Sequence, residues 1–191
     1  MKRVRVKDGK SVYYAIVDVE DYARVIKYSW CMADRNGEYG APATIVGKTI
    51  KTMAHIVWGT NDSELFIDHI DGDPFNNRKE NLRLVTRNQN AYNSKKAATY
   101  NGGPTSSRFK GVYKRKAPIK GNPDRTIWYT DITVGGKRIY IGRFEDEVEA
   151  ACRYDMASEK YHGEFGRRNF DGAAYDKWYN DNYVTQIGEA S

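Results

Sequence analysis

The run from Asp68 to Glu80, Asp-His-Ile-Asp-Gly-Asp-Pro-Phe-Asn-Asn-Arg-Lys-Glu, followed by Asn81 and later by Asn90, gathers a carboxylate, an imidazole and amides around one turn. A carboxylate with an amide oxygen is a hard ligand set that suits Mg²⁺ or Mn²⁺, and a neighbouring imidazole takes a proton from water near neutral pH. Hydrolysis of a phosphodiester needs that combination. Asp71-Gly72-Asp73 with Asn76 has the outline of a calcium loop, but counting Asp71 as first puts Leu82 where a bidentate Glu belongs. His69 as an ordinary loop histidine, with the Asn residues as turn formers, is the plainer alternative.

The elements that must position these groups are legible around them. Glu64 to Ile67 leads into Asp68-His69 as a short strand, and Ile70 to Asn81, rich in Asp, Gly, Pro and Asn, reads as a loop. Leu82 to Val85 is a second strand. Thr86 suits the N-cap of a polar helix running through Arg87, Asn90, Asn93 and Lys96, with Asn90 facing back toward Asp68. Alternation along a strand sends Asp68 and Asp68's neighbour His69 to opposite faces, so a shared site requires the strand to distort there. His55 reads as a packed helix residue outside this site.

The stretch resembles the ββα-metal core of an HNH endonuclease, in the branch found in phage and intron-encoded enzymes, through Asp-His-Ile-Asp-Gly, Asn-Asn-Arg-x-Glu-Asn-Leu, and the following Thr and spaced Asn residues. That resemblance implies His69 as general base, Asp68 and Asn90 as ligands of one divalent cation, Mg²⁺ or Mn²⁺, and Asn81 as a brace that holds the loop and orients His69. Arg78, Arg83 and Arg87 are unranked sources of positive charge for the phosphate.

A second signal lies downstream. From Arg108 to Arg143 there are ten Lys or Arg against two acids, interleaved with strand formers and aromatics, and Gly135-Gly136 is a two-residue hairpin turn. Alternation puts Trp128, Thr130, Ile132 and Val134 on one face and Tyr129, Asp131 and Thr133 on the other. A helix over Glu145 to Tyr161, opened by acids and carrying Val148, Ala151, Cys152 and Met156 at helical spacing, is expected to cover one face and stop at Gly163.

Residues 107–170 resemble the APETALA-type, or ethylene-response-factor, DNA-binding domain: Lys-Gly-Val, Trp128, Gly-Lys-Arg, Ile-Gly-Arg-Phe, Glu-Ala-Ala, Tyr-Asp, His-Gly and a closing Asn169-Phe170. The resemblance implies a three-stranded antiparallel sheet packed on one helix, with Lys110, Lys114, Arg115, Trp128, Arg138, Tyr140 and Arg143 as DNA contacts. Tyr113, Asp131 and Thr133 stand at positions where the plant pattern differs, two of them in place of its Arg, and the loss of arginine forks points to backbone binding over sharp sequence preference. A solvated sheet face is the plainer reading of the same charges.

The expected fold class is therefore α+β, in the order 1–58 β-rich lead-in, 59–97 nuclease core, 98–107 linker, 108–170 DNA-binding domain and 171–191 acidic aromatic tail. The lead-in holds strands at Val4 to Val6, Val12 to Val17 and Thr44 to Ile50, a capped segment from Asp18 to Trp30, and Trp30 and Tyr39 as core. Over 191 residues the formal charge is plus six, which favours a polyanion, with double-stranded DNA as the expected partner and no membrane. Two cysteines, one per half, give neither a disulfide framework nor a cysteine zinc site, and a reducing cytoplasm is expected. No apolar run reaches the length of a membrane span. Function is expected to be metal-dependent cleavage of DNA by a phage or homing-type endonuclease. The alternatives are a DNA-binding regulator with an inactive nuclease fold, and a nuclease or binder directed at RNA, since basic aromatic sheets also stack single-stranded bases.

Overall fold

The computed structural model describes residues 1–33, 40–59, 65–100, 102–116 and 125–173, with 177 and 181. Tyr39 and most of the tail from 171 onward lie outside the described residues. The chain divides into two units, Met1–Asn90 and Ala91–Ser191.

In the first unit, strict alternation of valine with charge writes the opening hairpin. β1 (Lys2–Asp8) buries Val4 and Val6 between exposed Arg3, Arg5 and Lys7, and pairs antiparallel with β2 (Ser11–Val17) from Lys2↔Val17 to Asp8↔Ser11. α1 (Val19–Val25) follows. β3 (Trp30–Met32) then runs parallel to β1, and β4 (Pro42–Val46) and β5 (Thr49–Thr52) complete a five-stranded sheet of order β2-β1-β3-β4-β5. The single strand expected over Thr44 to Ile50 is a hairpin instead. Gly47 takes φ +63°, a left-handed value a branched residue resists, and lets the chain reverse so that Ile45 faces Ile50.

α2 (Met53–Trp58) is opened by Thr52, whose hydroxyl accepts from the His55 N–H and also meets His55 Nδ1 at 2.6 Å. That accounts for His55 locally. β6 (Phe66–His69) and β7 (Leu82–Val85) pair antiparallel with Asp68↔Arg83 and His69↔Leu82, and α3 (Arg87–Tyr92) follows, its last two residues belonging to the second unit. Leu82 is buried in the same cluster as Val4, Val6, Ala15, Val17, Trp30 and Met53, with Ile67 and Phe75 packed against it. One apolar core thus serves the five-stranded sheet and the β6–β7 pair.

The second unit opens with a small hairpin, β8 (Thr99–Tyr100) and β9 (Gly103–Pro104). β10 (Val112–Lys116), β11 (Thr126–Val134) and β12 (Lys137–Phe144) form an antiparallel sheet in that order, with a bulge between Thr130 and Asp131. The β11–β12 turn uses Gly135 and Gly136, both at positive φ. α4 (Glu147–His162) is capped by Asp146, whose carboxylate accepts from the Glu149 N–H at 2.7 Å. Its buried stripe is Ala150, Ala151, Tyr154 and Ala157, the first two against Phe109 and Val112 and the last two against Ile132. Met156, expected on that stripe, is 38% exposed, because Tyr154 and Ala157 hold the inward positions.

Candidate functional site: the Asp68–Asn90 segment and the basic sheet

Residues 70–81 form a loop that spends its polar groups on itself. Gly72, at φ +69°, donates its N–H to the His69 carbonyl, and the Ile70 N–H reaches the Asn81 carbonyl. Asp71 accepts from the Asp73 N–H, from Asn81 Nδ2 and from Asn76 Nδ2 at 2.8, 2.9 and 2.7 Å. Burial works to raise the Asp71 carboxyl, but these donors and the nearby His69 together hold it below the ordinary carboxylate value. The Asp71 and Asp73 carboxylates thus serve as turn formers.

The far side of the loop is fastened to the lead-in sheet. The Ile16 N–H donates to the Phe75 carbonyl and the Asn77 N–H to the Ile16 carbonyl, both at 2.8 Å. The Lys79 N–H is accepted by Asp18 Oδ2 at 2.9 Å. Asn77 is 1% exposed. Its Nδ2 donates to the Pro74 carbonyl at 3.0 Å, which turns its Oδ1 toward His69 Nε2 at 3.2 Å. An amide oxygen there accepts, so the Asn77 contact favours the tautomer with the proton on Nε2.

Asn81 is buried and braces the loop through Asp71 and the Asn76 carbonyl, at 2.9 and 2.8 Å. The imidazole is met by Asn77 instead. The sequence carried a signal for that residue in its Asn76-Asn77 pair, but only the fold tells which of the two faces the histidine. Asp68 is 7% exposed and takes Arg83 Nε and Nη2 on Oδ2, at 3.0 and 2.9 Å. Arg83 and Asp68 are cross-strand partners, so this pair follows from register. Arg78 is engaged with Glu80 and with Asn76 Oδ1, whereas Arg87 is exposed on α3.

Asn90 is exposed on α3. The helix begins with a reciprocal capping box: the Thr86 hydroxyl accepts from the Gln89 N–H, and Gln89 Oε1 accepts from the Thr86 N–H, at 3.3 and 2.8 Å. It ends at Tyr92, short of Lys96, and the Tyr92 and Ser94 carbonyls accept from Lys110 Nζ at 2.5 and 2.8 Å.

A divalent cation is tested against this donor set. Asp68 would offer a carboxylate already held by Arg83, and Asn90 an exposed amide. Among the described residues no three His, Cys, Asp or Glu side chains form a cage. Such lean oxygen donors fit an ion that keeps most of its waters and takes phosphate oxygens, as Mg²⁺ does.

In the second unit the expected contacts part into two groups. Arg115, Arg138, Tyr140 and Arg143 are exposed on the sheet. Arg115 lies over the Tyr113 and Tyr129 rings, and Arg138 lies over Tyr113 and pairs with Asp131. Trp128 faces the other way, packed against the Phe109 and Ala150 cluster with Lys114 over its ring at 5.8 Å, as its place in the set with Thr130 and Ile132 requires. Lys110 is turned inward to its carbonyls, and burial, aided by Arg167, lowers its ammonium to about 8.

The family model described as HNH endonuclease matches residues 54–92, which include every residue of the loop site. An uncharacterized HNH endonuclease of Acanthamoeba polyphaga mimivirus is 32% identical over 167 residues, covering 84% of this chain and 76% of the relative. The chain belongs to the HNH endonuclease family. Protein 3.8 of Escherichia phage T7 is similar to this HNH chain at 30% identity over 102 residues, 53% of the chain and 74% of the phage protein. An AP2-like ethylene-responsive transcription factor of Arabidopsis thaliana shares 32% over 75 residues, 39% of the HNH chain and 23% of the plant protein. No solved structure gives a significant match. Family membership supports a nuclease acting on DNA.

Proposed function

We propose that this chain is a metal-dependent endonuclease that hydrolyses phosphodiester bonds of double-stranded DNA, of the phage or homing type. The observation that carries the proposal is the His69–Asn77–Pro74 relay. The Asn77 amide, oriented by the Pro74 carbonyl, holds the proton on Nε2 and leaves Nδ1 to accept a proton from the attacking water. Asn81 holds the loop from which His69 and Asn77 face one another. Asp68 and Asn90 are the residues that hold one divalent cation, Mg²⁺ or Mn²⁺, within the ββα-metal arrangement of β6, β7 and α3. An ion held by these two residues would supply Lewis-acid stabilisation of the charge that develops during hydrolysis. Arg83 holds the Asp68 carboxylate in place, and Arg87 adds positive charge on the exposed face of α3.

The APETALA-like second unit supplies DNA affinity through Arg115, Arg138, Tyr140 and Arg143. A cytoplasmic setting belongs to the same proposal. Among the described residues no helix is long and apolar enough to cross a membrane.

The test is incubation of the purified protein with supercoiled plasmid and Mg²⁺, beside EDTA and His69→Ala controls. Metal-dependent nicking or linearisation lost in the variant is expected, with DNA binding retained. Binding without cleavage by the unmutated chain, on plasmids and on its source DNA, would replace this reading with that of a DNA-binding regulator.

A further inference from the structure

The open face of the second unit's sheet carries one tyrosine per strand. Tyr113 and Tyr129 are cross-strand partners with ring centroids 5.8 Å apart and planes within 20°, and Tyr129 and Tyr140 continue the row at 6.4 Å. Tyr140 is 58% exposed. Arg115 lies 5.3 and 5.5 Å from the Tyr113 and Tyr129 centroids, and Arg138 lies 5.2 Å from that of Tyr113. Beside Tyr113 a groove of about 710 Å³ opens along β10, lined by Lys96, Lys114, Arg115 and Arg138 against one acid, Asp131.

This chemistry differs from that of a duplex reader. Reading base edges in the major groove calls for arginine forks aimed outward. Here Arg138 is bound to Asp131 and both guanidiniums lie over tyrosine rings, so guanidinium planes, the exposed Tyr140 ring and diffuse positive charge face solvent. Asp131, only 15% exposed at its side chain, sits among the cations, where it repels a closely approaching phosphate. Aromatic and guanidinium planes accept the faces of unstacked bases whatever their sequence, while surrounding cations track the strand. The groove has the volume of a site for one small organic ligand, such as a single nucleotide, and is too small for a stacked duplex.

We infer that the Tyr113–Tyr129–Tyr140 face binds an unpaired stretch of DNA, its bases stacked along the tyrosine row with one nucleotide in the adjoining groove. The choice of DNA as the polymer rests on the nuclease reading above; the preference for unpaired bases rests on the sheet alone.

The experiment is fluorescence anisotropy of the full chain in EDTA with a labelled sixteen-nucleotide single strand, and with the blunt duplex of the same sequence. The single strand binds more tightly. Tyr129→Leu combined with Tyr140→Leu weakens single-strand binding about ten-fold or more, a larger loss than that of duplex binding, and leaves the salt slope unchanged because no charge is removed. If the double variant melts early, Tyr140→Leu alone, at the most exposed ring, is expected to weaken single-strand binding several-fold. Tighter binding of the duplex, or native single-strand affinity in a folded tyrosine variant, overturns the inference. Since nothing is cleaved in EDTA, failure of the plasmid assay leaves this result standing, and failure here leaves the nuclease reading intact.

Discussion

On the proposed reading the imidazole of His69 works as a base through the nitrogen that carries no proton, and the Asn77 contact favours Nδ1 for that part. Asn77→Ala removes the acceptor at Nε2, and kcat is expected to fall about ten- to hundred-fold, a part of what a general base supplies. Asn77→Asp keeps an acceptor and restores part of the rate. Its added negative charge favours the imidazolium, so the acid limb of its kcat/KM profile moves to higher pH. A pH series on both variants checks this, and native rates in Asn77→Ala would show that His69 is held by other means. Asp71 gives a second prediction. Its folded value lies below the ordinary 3.8, so the stability it contributes is present above 3.8 and is lost as pH falls through the folded value. Acid denaturation between about pH 2 and 5, compared with Asp71→Asn, reads the difference as a flatter curve in the variant.

Among the elements, the bulge in β11 shows what the Lys-Gly-Val motif is for. The Gly111 carbonyl accepts from the Asp131 N–H and the Thr130 hydroxyl at 3.1 and 3.0 Å, which satisfies the strand where its ladder breaks. Gly111 takes φ +74°, and a Cβ there would stand 1.9 Å from the Tyr154 ring and 2.9 Å from the Asp131 carbonyl. Gly111→Ala is therefore expected to cost about 3 kcal/mol or more, measured as a lowered denaturation midpoint of the second unit. Asp155, from α4, accepts from the Asn169 and Phe170 N–H groups at 2.8 and 2.9 Å and from Asn169 Nδ2 at 3.0 Å. Removing that acceptor in Asp155→Ala strands several donors and should cost about 2 to 4 kcal/mol by chemical denaturation. These two contacts turn Tyr154-Asp155 and Asn169-Phe170, visible in the sequence as separate words, into one joint. Local signals were legible: Thr86 at the start of α3, the acids that open α4, and the glycine pair between β11 and β12. Elements set by distant partners were not. α3 ends early where Lys110, eighteen residues on, takes the Tyr92 carbonyl, and the inward direction of Lys110 is invisible to any reading of charge clusters.

For the whole molecule, charge and core partition the work. The excess of Lys and Arg falls between 108 and 143, and the formal total is plus six. DNA affinity should therefore fall steeply with salt, and Arg115→Ala with Arg138→Ala should reduce the slope of log K against log salt by about 1 to 2. Anisotropy from low to moderate salt measures it, and an unaltered slope moves the interface away from this sheet. The candidate residues from Asp68 to Asn90 stand out in the sequence by type and spacing, because they lie in one short run, whereas Asn77 does not stand out. The support beneath them does not either, since the backbone of Ile16 meets Phe75 and Asn77 across some sixty residues, with no side-chain signature to announce it. That contact sets a limit on modular engineering. A cassette cut to residues 54–92 would carry every candidate residue of the loop site and lose the strand that holds its loop, so a portable form of the site needs β2 as well.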